Sequence, residues 1–554
     1  MKHFIQIFLA VFFVQVVSAQ DGSREGFNPS KDLRTQPKLV VGVVVDQMRY
    51  DFITRFWDRF GDGGFKKLIS EGYNLRNTHF SYIPTYTGPG HASVYTGSSP
   101  ESHGIIGNNW YNKFIGEMVY CVGDPAVNSV GTTSDAGKMS PHRLLTTTVA
   151  DENRLHTQMR GKTIGIALKD RGAILPAGHT ANAAYWFHGQ DEAKWVTSSF
   201  YTEELPDWVE EFNTSGRAQS YMKPWETLFD TDTYLESGID INDFEGGFKG
   251  KEDTGFPYDF PKLQEQNGGY DIIKESPFGN SLTADFAIAA LEGEDLGQDE
   301  ITDFLTVSFS STDYLGHNFG VNSKEVQDSY LRLDLDLQRL LEALDDKVGE
   351  DNYTLFLTSD HGGVHVPSYL QSVKIPAGYF NSSEFRDSLN DYLGDVFGED
   401  TFIKNISNNQ IFFDYEVLED NDISRVELQR EVAHFALQYE QVNKVFTREQ
   451  LEATSYSDGI DAAVDNGFHQ KRSGDVMFVL EPSVISYSKT GSTHGSGQNY
   501  DTHAPLIFYG KGIKHGNTLE RTGIEDIAPT ISALLGISFP NGSTGRPLYM
   551  VFEN

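Results

Sequence analysis

The sequence predicts an α/β fold built on a central, mostly parallel sheet flanked by helices, and three observations carry that reading. Five short apolar runs recur without the alternation of a half-exposed strand, as strands buried on both faces do. A long amphipathic stretch lies between two of them and supplies a crossover helix. Four of the five runs stop at or just before a polar, chemistry-bearing residue, and the carboxyl edge of an open α/β sheet is where ligands bind.

The first run, KLVVGVVVD, ends at Asp46. The next three span residues 163–168 before Lys169, 304–309 before Asp313, and 353–357 before Asp360. The fifth, residues 505–509, begins just after His503. Between the third and fourth, Val326, Tyr330, Leu333, Leu337, Leu340, Leu341 and Leu344 recur at helical spacing and form one apolar stripe. Two polar, aromatic, turn-rich stretches interrupt this rhythm, at about residues 180–281 and 367–491, and both read as insertions. The second holds strand-like runs at 409–415 and 475–480 around a helical stretch at 424–438, the makings of a small α+β cap over the site.

The chain has 554 residues, a length that one elaborated α/β domain can reach. Residues 1–19 have the basic start, short apolar run and Val17-Ser18-Ala19 ending of a secretory signal peptide, leaving residues 20–554 as the α/β domain. Export places the protein in the periplasm or outside the cell. No later segment is a membrane span, so no stable membrane association is expected. The only cysteine, Cys121, cannot form an internal disulfide. The formal net charge is −35, which argues against nucleic acid as a partner and would repel anionic substrates. A site for such substrates must be made positive locally, and bound divalent cations are the usual means.

The groups able to build such a site are, in order, Asp46, Thr87, Asn108, Lys169, Arg171, Asp313, His317, Asp360, His361 and His503. An Asp at a strand end is commonly a helix cap, and His361 in SDHGG could simply occupy a turn. Together, however, three Asp and three His at sheet edges suit two borderline-soft divalent ions. Asp313 and His317, four residues apart, face one ion if the chain between them is helical. Thr87 precedes Gly88-Pro89-Gly90, and a helix from His91 onward would bring its hydroxyl near a helix N-terminus that favours anions. A simple Thr cap is the alternative at that position. Lys169 and Arg171 add two cations and Asn108 an amide donor, though the two cations could also form ordinary surface pairs. His79, His91, His103 and His179 have no clear ligand role and are expected to support the site or the fold.

VVVDQMRYD, PTYTGPGHASVYTG, HGIIGNNW, ALKDRGAILPAGH, STDYLGH, TSDHG and YDTHAPL, in this order, resemble the alkaline phosphatase superfamily. More narrowly they are similar to the bacterial PafA-type phosphate-irrepressible alkaline phosphatases with a threonine nucleophile. The resemblance implies an alkaline-phosphatase-like sandwich fold and hydrolysis of phosphate monoesters through a phosphothreonine on Thr87. It implies that Asp313, His317 and His503 hold one zinc, that Asp46, Asp360 and His361 hold the other, and that the second zinc also binds Thr87. Asn108, Lys169 and Arg171 would contact the phosphoryl oxygens. Lys169 would fill the space where some relatives carry Mg2+, so two Zn2+ and no third metal are expected. Gly88 departs from the pattern, which has alanine there, and glycine early in a helix costs about 0.5–1 kcal/mol.

The rival within the superfamily is a phosphodiesterase or nucleotide pyrophosphatase, which should lack the ALKDR cations and gain an apolar pocket. A zinc-binding surface protein should have lost the nucleophile, and a sulfatase should carry a different local motif. The physiological ester and the oligomeric state, possibly monomeric, are not legible in the sequence.

Overall fold

The structure, a computed structural model, describes residues 36–398 and 401–553. The leader expected at residues 1–19 lies outside the described residues. The framework strands are β1 (Leu39–Val45), β2 (Tyr73–His79), β3 (Thr163–Ala167), β4 (Ala183–His188), β5 (Lys194–Ser198), β6 (Asp303–Phe309), β7 (Tyr353–Thr358) and β8 (His503–Gly510). They lie in one sheet in the order β2–β8–β7–β1–β6–β3–β4–β5, with Gly516–Thr518 outside β2 and Ser129–Val130 outside β5. The five strands from β7 to β4 are mutually parallel. Strand β8 runs antiparallel to both β7 and β2, and β5 antiparallel to β4.

The apolar runs become strands because each residue is covered from one side or the other. In β1, Leu39, Val41, Val43 and Val45 join one hydrophobic core, whereas Val40 and Val44 join a second core on the opposite face. That period of two, apolar on both sides, is what a continuous apolar run encodes. The helical stripe is realised in a helix spanning Lys324–Lys347, with Val326, Tyr330, Leu333, Leu337, Leu340, Leu341 and Leu344 all buried. Ser323 caps it, accepting from the Val326 N–H.

The first expected insertion begins too early. Strands β4 and β5, within residues 180–281, are part of the central sheet, so the chain leaves the framework only after Ser198. The second stretch forms an antiparallel four-stranded sheet in the order Ile403–Ser407, Gln410–Phe413, Val476–Leu480, Val442–Thr447. Helices Ser382–Phe397 and Arg425–Ala436 belong to the same unit. It has a hydrophobic core of its own around Phe380, Phe385, Leu389, Phe413, Val476 and Phe478.

Candidate active site

The helix α1 (Thr87–Thr96) is buried along all ten residues, and two glycines set its position. A Cβ at Gly42 of β1 would lie 2.2 Å from the Tyr95 hydroxyl, so glycine lets α1 settle onto the sheet. A Cβ at Gly90 would lie 2.2 Å from the Asp360 carbonyl, so glycine lets the first turn of α1 meet the loop after β7. Thr87 therefore stands at the first helical position, beside Asp360 and His361 and not in the preceding loop. Its hydroxyl is 3.5 Å from His361 Nε2 and 3.5 Å from Arg171 Nη2. A Cβ at Gly88 would lie 3.1 Å from Asn108 Oδ1 and 3.3 Å from Cys121 Sγ, so the missing methyl makes room for that buried thiol.

The carboxyl edge brings the acidic residues together. Asp46 follows β1, Asp313 lies in the first turn of the helix Ser311–Phe319 after β6, and Asp360 and His361 follow β7. Ligand atoms of Asp46, Asp360 and His361 lie within 4.8 Å of one another. Those of Asp313, His361 and His494 do so as well. His317 joins the second group, with Nε2 3.3 Å from Asp313 Oδ1, because the helix turns once between the two residues. His361 Nε2 is 3.4 Å from Asp46 Oδ1 and 3.5 Å from Asp360 Oδ2.

One expected ligand is not brought to this cluster. His503 is the first residue of β8 and pairs in register with His79 of β2, which holds its ring beside β2. There it stacks on Tyr50 and His79 at 4.5 and 4.6 Å, and its Nε2 faces the Arg76 carbonyl at 3.1 Å. His494, nine positions earlier in the loop before β8, stands in its place, with Nε2 3.5 Å from Asp313 Oδ1. The three clustered imidazoles share one device. His317 Nδ1 bonds the Ser492 carbonyl at 2.8 Å, His361 Nδ1 the Gly362 carbonyl at 2.9 Å, and His494 Nδ1 the Thr85 carbonyl at 2.7 Å. Each Nδ1 carries the proton, and each Nε2 lone pair is left for an electrophile.

These residues fit divalent cations. Asp46 Oδ1 and Asp360 Oδ2 are buried acceptors with no hydrogen-bond partner among the described residues. An unpaired buried carboxylate oxygen is costly unless something positive meets it. Burial, with the Asp313 and Asp360 carboxylates close by, pushes the Asp46 carboxyl well above the ordinary carboxylate range. Burial pushes the His361 imidazole down to about 3, which keeps it neutral and able to donate its lone pair. Mixed imidazole and carboxylate donors suit zinc.

Lys169, just beyond β3, is 4% exposed and its Nζ bridges Asp46 Oδ2, at 2.6 Å, and Asp313 Oδ2, one carboxylate from each group. Burial alone would lower its ammonium, but the Asp313 and Asp46 carboxylates hold it above the ordinary lysine value. Arg171 lies in the first turn of the helix Asp170–Ala177. Its Nη1 donates to the Tyr120 hydroxyl at 3.0 Å, and that hydroxyl donates in turn to Asp170. Asn108 Oδ1 accepts from the Gly88 N–H at 2.7 Å, and its amide N–H groups have no acceptor among the described residues.

Several supporting residues escaped the sequence reading. Gln47 donates from Nε2 to Asp313 Oδ1 at 2.7 Å and from its backbone N–H to Asp360 Oδ1 at 3.1 Å, tying the two groups together. Its φ of +62° is a strained position for a side-chain-bearing residue, though nothing in MRYD-flanked sequence announces it. His91, by contrast, is one of the histidines expected to support the site or the fold; it lies one turn along α1 from Thr87, bonding the Thr87 carbonyl at 2.9 Å and Ser308 Oγ at 2.8 Å. Tyr120 and Asp170 orient Arg171, and adjacency in the KDR motif was the only cue for Asp170.

The type I phosphodiesterase / nucleotide pyrophosphatase family matches residues 40–505. A protein of Myroides odoratus described as a calcium-transporting ATPase is 44% identical, covering 94% of this chain and 95% of its own. Alkaline phosphatase PafA of Elizabethkingia meningoseptica is 44% identical over 93% of this chain and 94% of its own. The crystal structure of wild-type alkaline phosphatase PafA superposes with a TM-score of 0.90 at 43% identity, covering 94% of this chain and 99% of that one. The chain thus belongs to the type I phosphodiesterase / nucleotide pyrophosphatase family and is an enzyme of the alkaline phosphatase superfamily.

Proposed function

We propose that this chain is an exported phosphomonoesterase that holds two zinc ions and hydrolyses small phosphate esters through a phosphothreonine on Thr87. The observation that carries the reading is the placement of the Thr87 hydroxyl, 3.5 Å from His361 of one acidic group and 3.5 Å from the Arg171 guanidinium. Asp46, Asp360 and His361 would hold one ion, and Asp313, His317 and His494 the other. Bound there, two divalent cations lower the pKa of a nearby hydroxyl or water and stabilise the charge on entering and leaving oxygens.

The chain's own groups account for binding and orientation. Arg171 and the Asn108 amide supply donors for the non-bridging phosphoryl oxygens, while Lys169 adds a fixed positive charge at the cluster. Thr87 Oγ forms the new bond to phosphorus as the ester P–O bond breaks and the departing alkoxide gains a proton. Water then attacks the phosphothreonine, phosphate leaves and the Thr87 hydroxyl is restored. Half-buried Tyr120 and Asp170 keep Arg171 aimed at Thr87.

A diesterase reading has the family's name in its favour, and the cations beside Thr87 weigh against it. A monoester dianion carries one more charge than a diester and gains more from Lys169 and Arg171. A transport reading, suggested by one relative's description, has no support from the helices: none among the described residues is long and apolar enough to cross a membrane. Thr87→Ala should abolish turnover of a monoester while bound zinc stays near the parent level, and full activity in that variant removes Thr87 from the mechanism. Lys169→Ala should lower monoester turnover far more than diester turnover; equal losses reject the monoester assignment.

A further inference from the structure

A second positive site lies away from Thr87, in a protein whose formal charge is −35. A cavity of about 440 Å³ opens at the seam between the framework and the 367–491 unit. Lys113 and Arg143 line it from the framework, Lys471 and Arg472 from the other unit, with His142 and His469 between them. It shares no lining residue with the site around Thr87.

Three of the four cations are held in place by neutral groups. Arg472 Nη1 donates to the carbonyls of Gly104 and, at 2.8 Å, Arg143. Lys113 Nζ donates to the Ser473 carbonyl at 3.1 Å, and Arg143 Nη1 to the Gly123 carbonyl at 2.8 Å. Among the described residues, none of these four cations forms an ion pair with a carboxylate. The acid beside the cavity, Asp124, is engaged by the Ser140 hydroxyl at 2.5 Å and by His142 at 3.5 Å. The crowding is felt by the side chains themselves. Burial and then Arg448 push the Lys113 ammonium down to about 8, and burial and then Arg143 push the Arg472 guanidinium down to about 10.

Half-buried, like-charged side chains repel one another and lose hydration, so an arrangement of this kind is stabilised by an anion that several of them can share. One rim is apolar: Phe114 is 76% exposed, and Trp110 lies under the Arg472 guanidinium at 5.3 Å.

We propose that the cavity bounded by Lys113, Arg143, Lys471 and Arg472 is an anion-binding site that takes a phosphate-type group, either as the free ion or carried on a larger molecule. The site joins the two units. Its Arg472 grips Gly104 at the start of the segment that leads to Asn108, and Asn408 Nδ2 grips the Asn109 carbonyl at 2.7 Å from the same side.

The test is titration calorimetry of the zinc-loaded full chain at low ionic strength, with inorganic phosphate in one arm and non-hydrolysable inositol hexasulfate in the other. The variant is Lys471→Glu combined with Lys113→Gln; the Lys471 side chain is exposed and its ammonium makes no hydrogen bond among the described residues. One class of anion sites should weaken about tenfold or more in the variant. Monoester turnover without added anion should stay unchanged, which separates this result from any failure of Thr87 chemistry. Loss of a phosphate class assigns the site to the free ion. Loss of a hexasulfate class alone assigns it to a group borne on a larger molecule. Equal isotherms in parent and variant, or an equal loss in a distant Lys223→Glu control, overturn the proposal.

Discussion

At the scale of single residues, His494 and His503 separate what a motif can tell from what geometry tells. Both follow a threonine, and His503 sits in the more conspicuous segment, directly before an apolar run. Strand pairing decides between them, because His503 is fixed against His79 while His494 is aimed by Thr85 toward Asp313. Changing a group that merely supports a metal ligand costs roughly 10–100-fold in metal affinity or activity, so removing a ligand should cost at least that much. His494→Ala should therefore lose turnover by about 100-fold or more and bind less zinc, whereas His503→Ala should keep most of both. Metal analysis and turnover of the two variants check this, and the opposite ranking would restore His503. Asp46, Thr87, Asn108, Lys169, Arg171, Asp313, His317, Asp360 and His361 were legible as candidates because each lies in or beside a recognisable run. Gln47 and His494 were not, because a loop residue acquires its neighbours only when distant segments meet.

At the scale of elements, the strands ending at Asp46, Lys169, Asp313 and Asp360 were readable from continuous apolar runs. Strands β4 and β5 were not, since AAYWFH and KWVTS mix aromatic and polar residues and resemble the insertion that follows. Their place is set by pairing, with β4 parallel to β3 and β5 folding back on β4. The placement of α1 depends on backbone contact that no propensity reveals. Because the neighbour of Gly90 is the Asp360 backbone, and not a flexible side chain, Gly90→Ala should force α1 and the post-β7 loop apart. Overpacking of this sort costs on the order of 1–3 kcal/mol. The variant should melt lower and turn over substrate more slowly, while Gly378→Ala, whose Cβ would meet only Val484 Cγ2 at an ordinary 3.6 Å, serves as the steric control. Thermal unfolding and turnover measured side by side check the pair.

Across the whole molecule, acidity is both a surface property and an internal one. Glu245 is buried, accepts from Asn242 Nδ2 at 2.8 Å and leaves Oε2 without a hydrogen-bond partner among the described residues. Burial pushes its carboxyl from 4.5 up to about 8. Between those values the folded chain keeps a proton that the unfolded chain has released, so stability falls as pH rises through the window. Glu245→Gln removes that loss. Its melting temperature should exceed the parent's at pH 9 and match it near pH 4, as thermal scans at both values would show; a difference independent of pH rejects the assignment.

The three backbone carbonyls that pin His317, His361 and His494 come from separate stretches of chain, at Ser492, Gly362 and Thr85. Orientation of the imidazoles is thus a product of folding and does not wait for an ion. A chelated sample should keep its shape, then recover on addition of zinc at the speed of diffusion and dehydration, with no refolding delay.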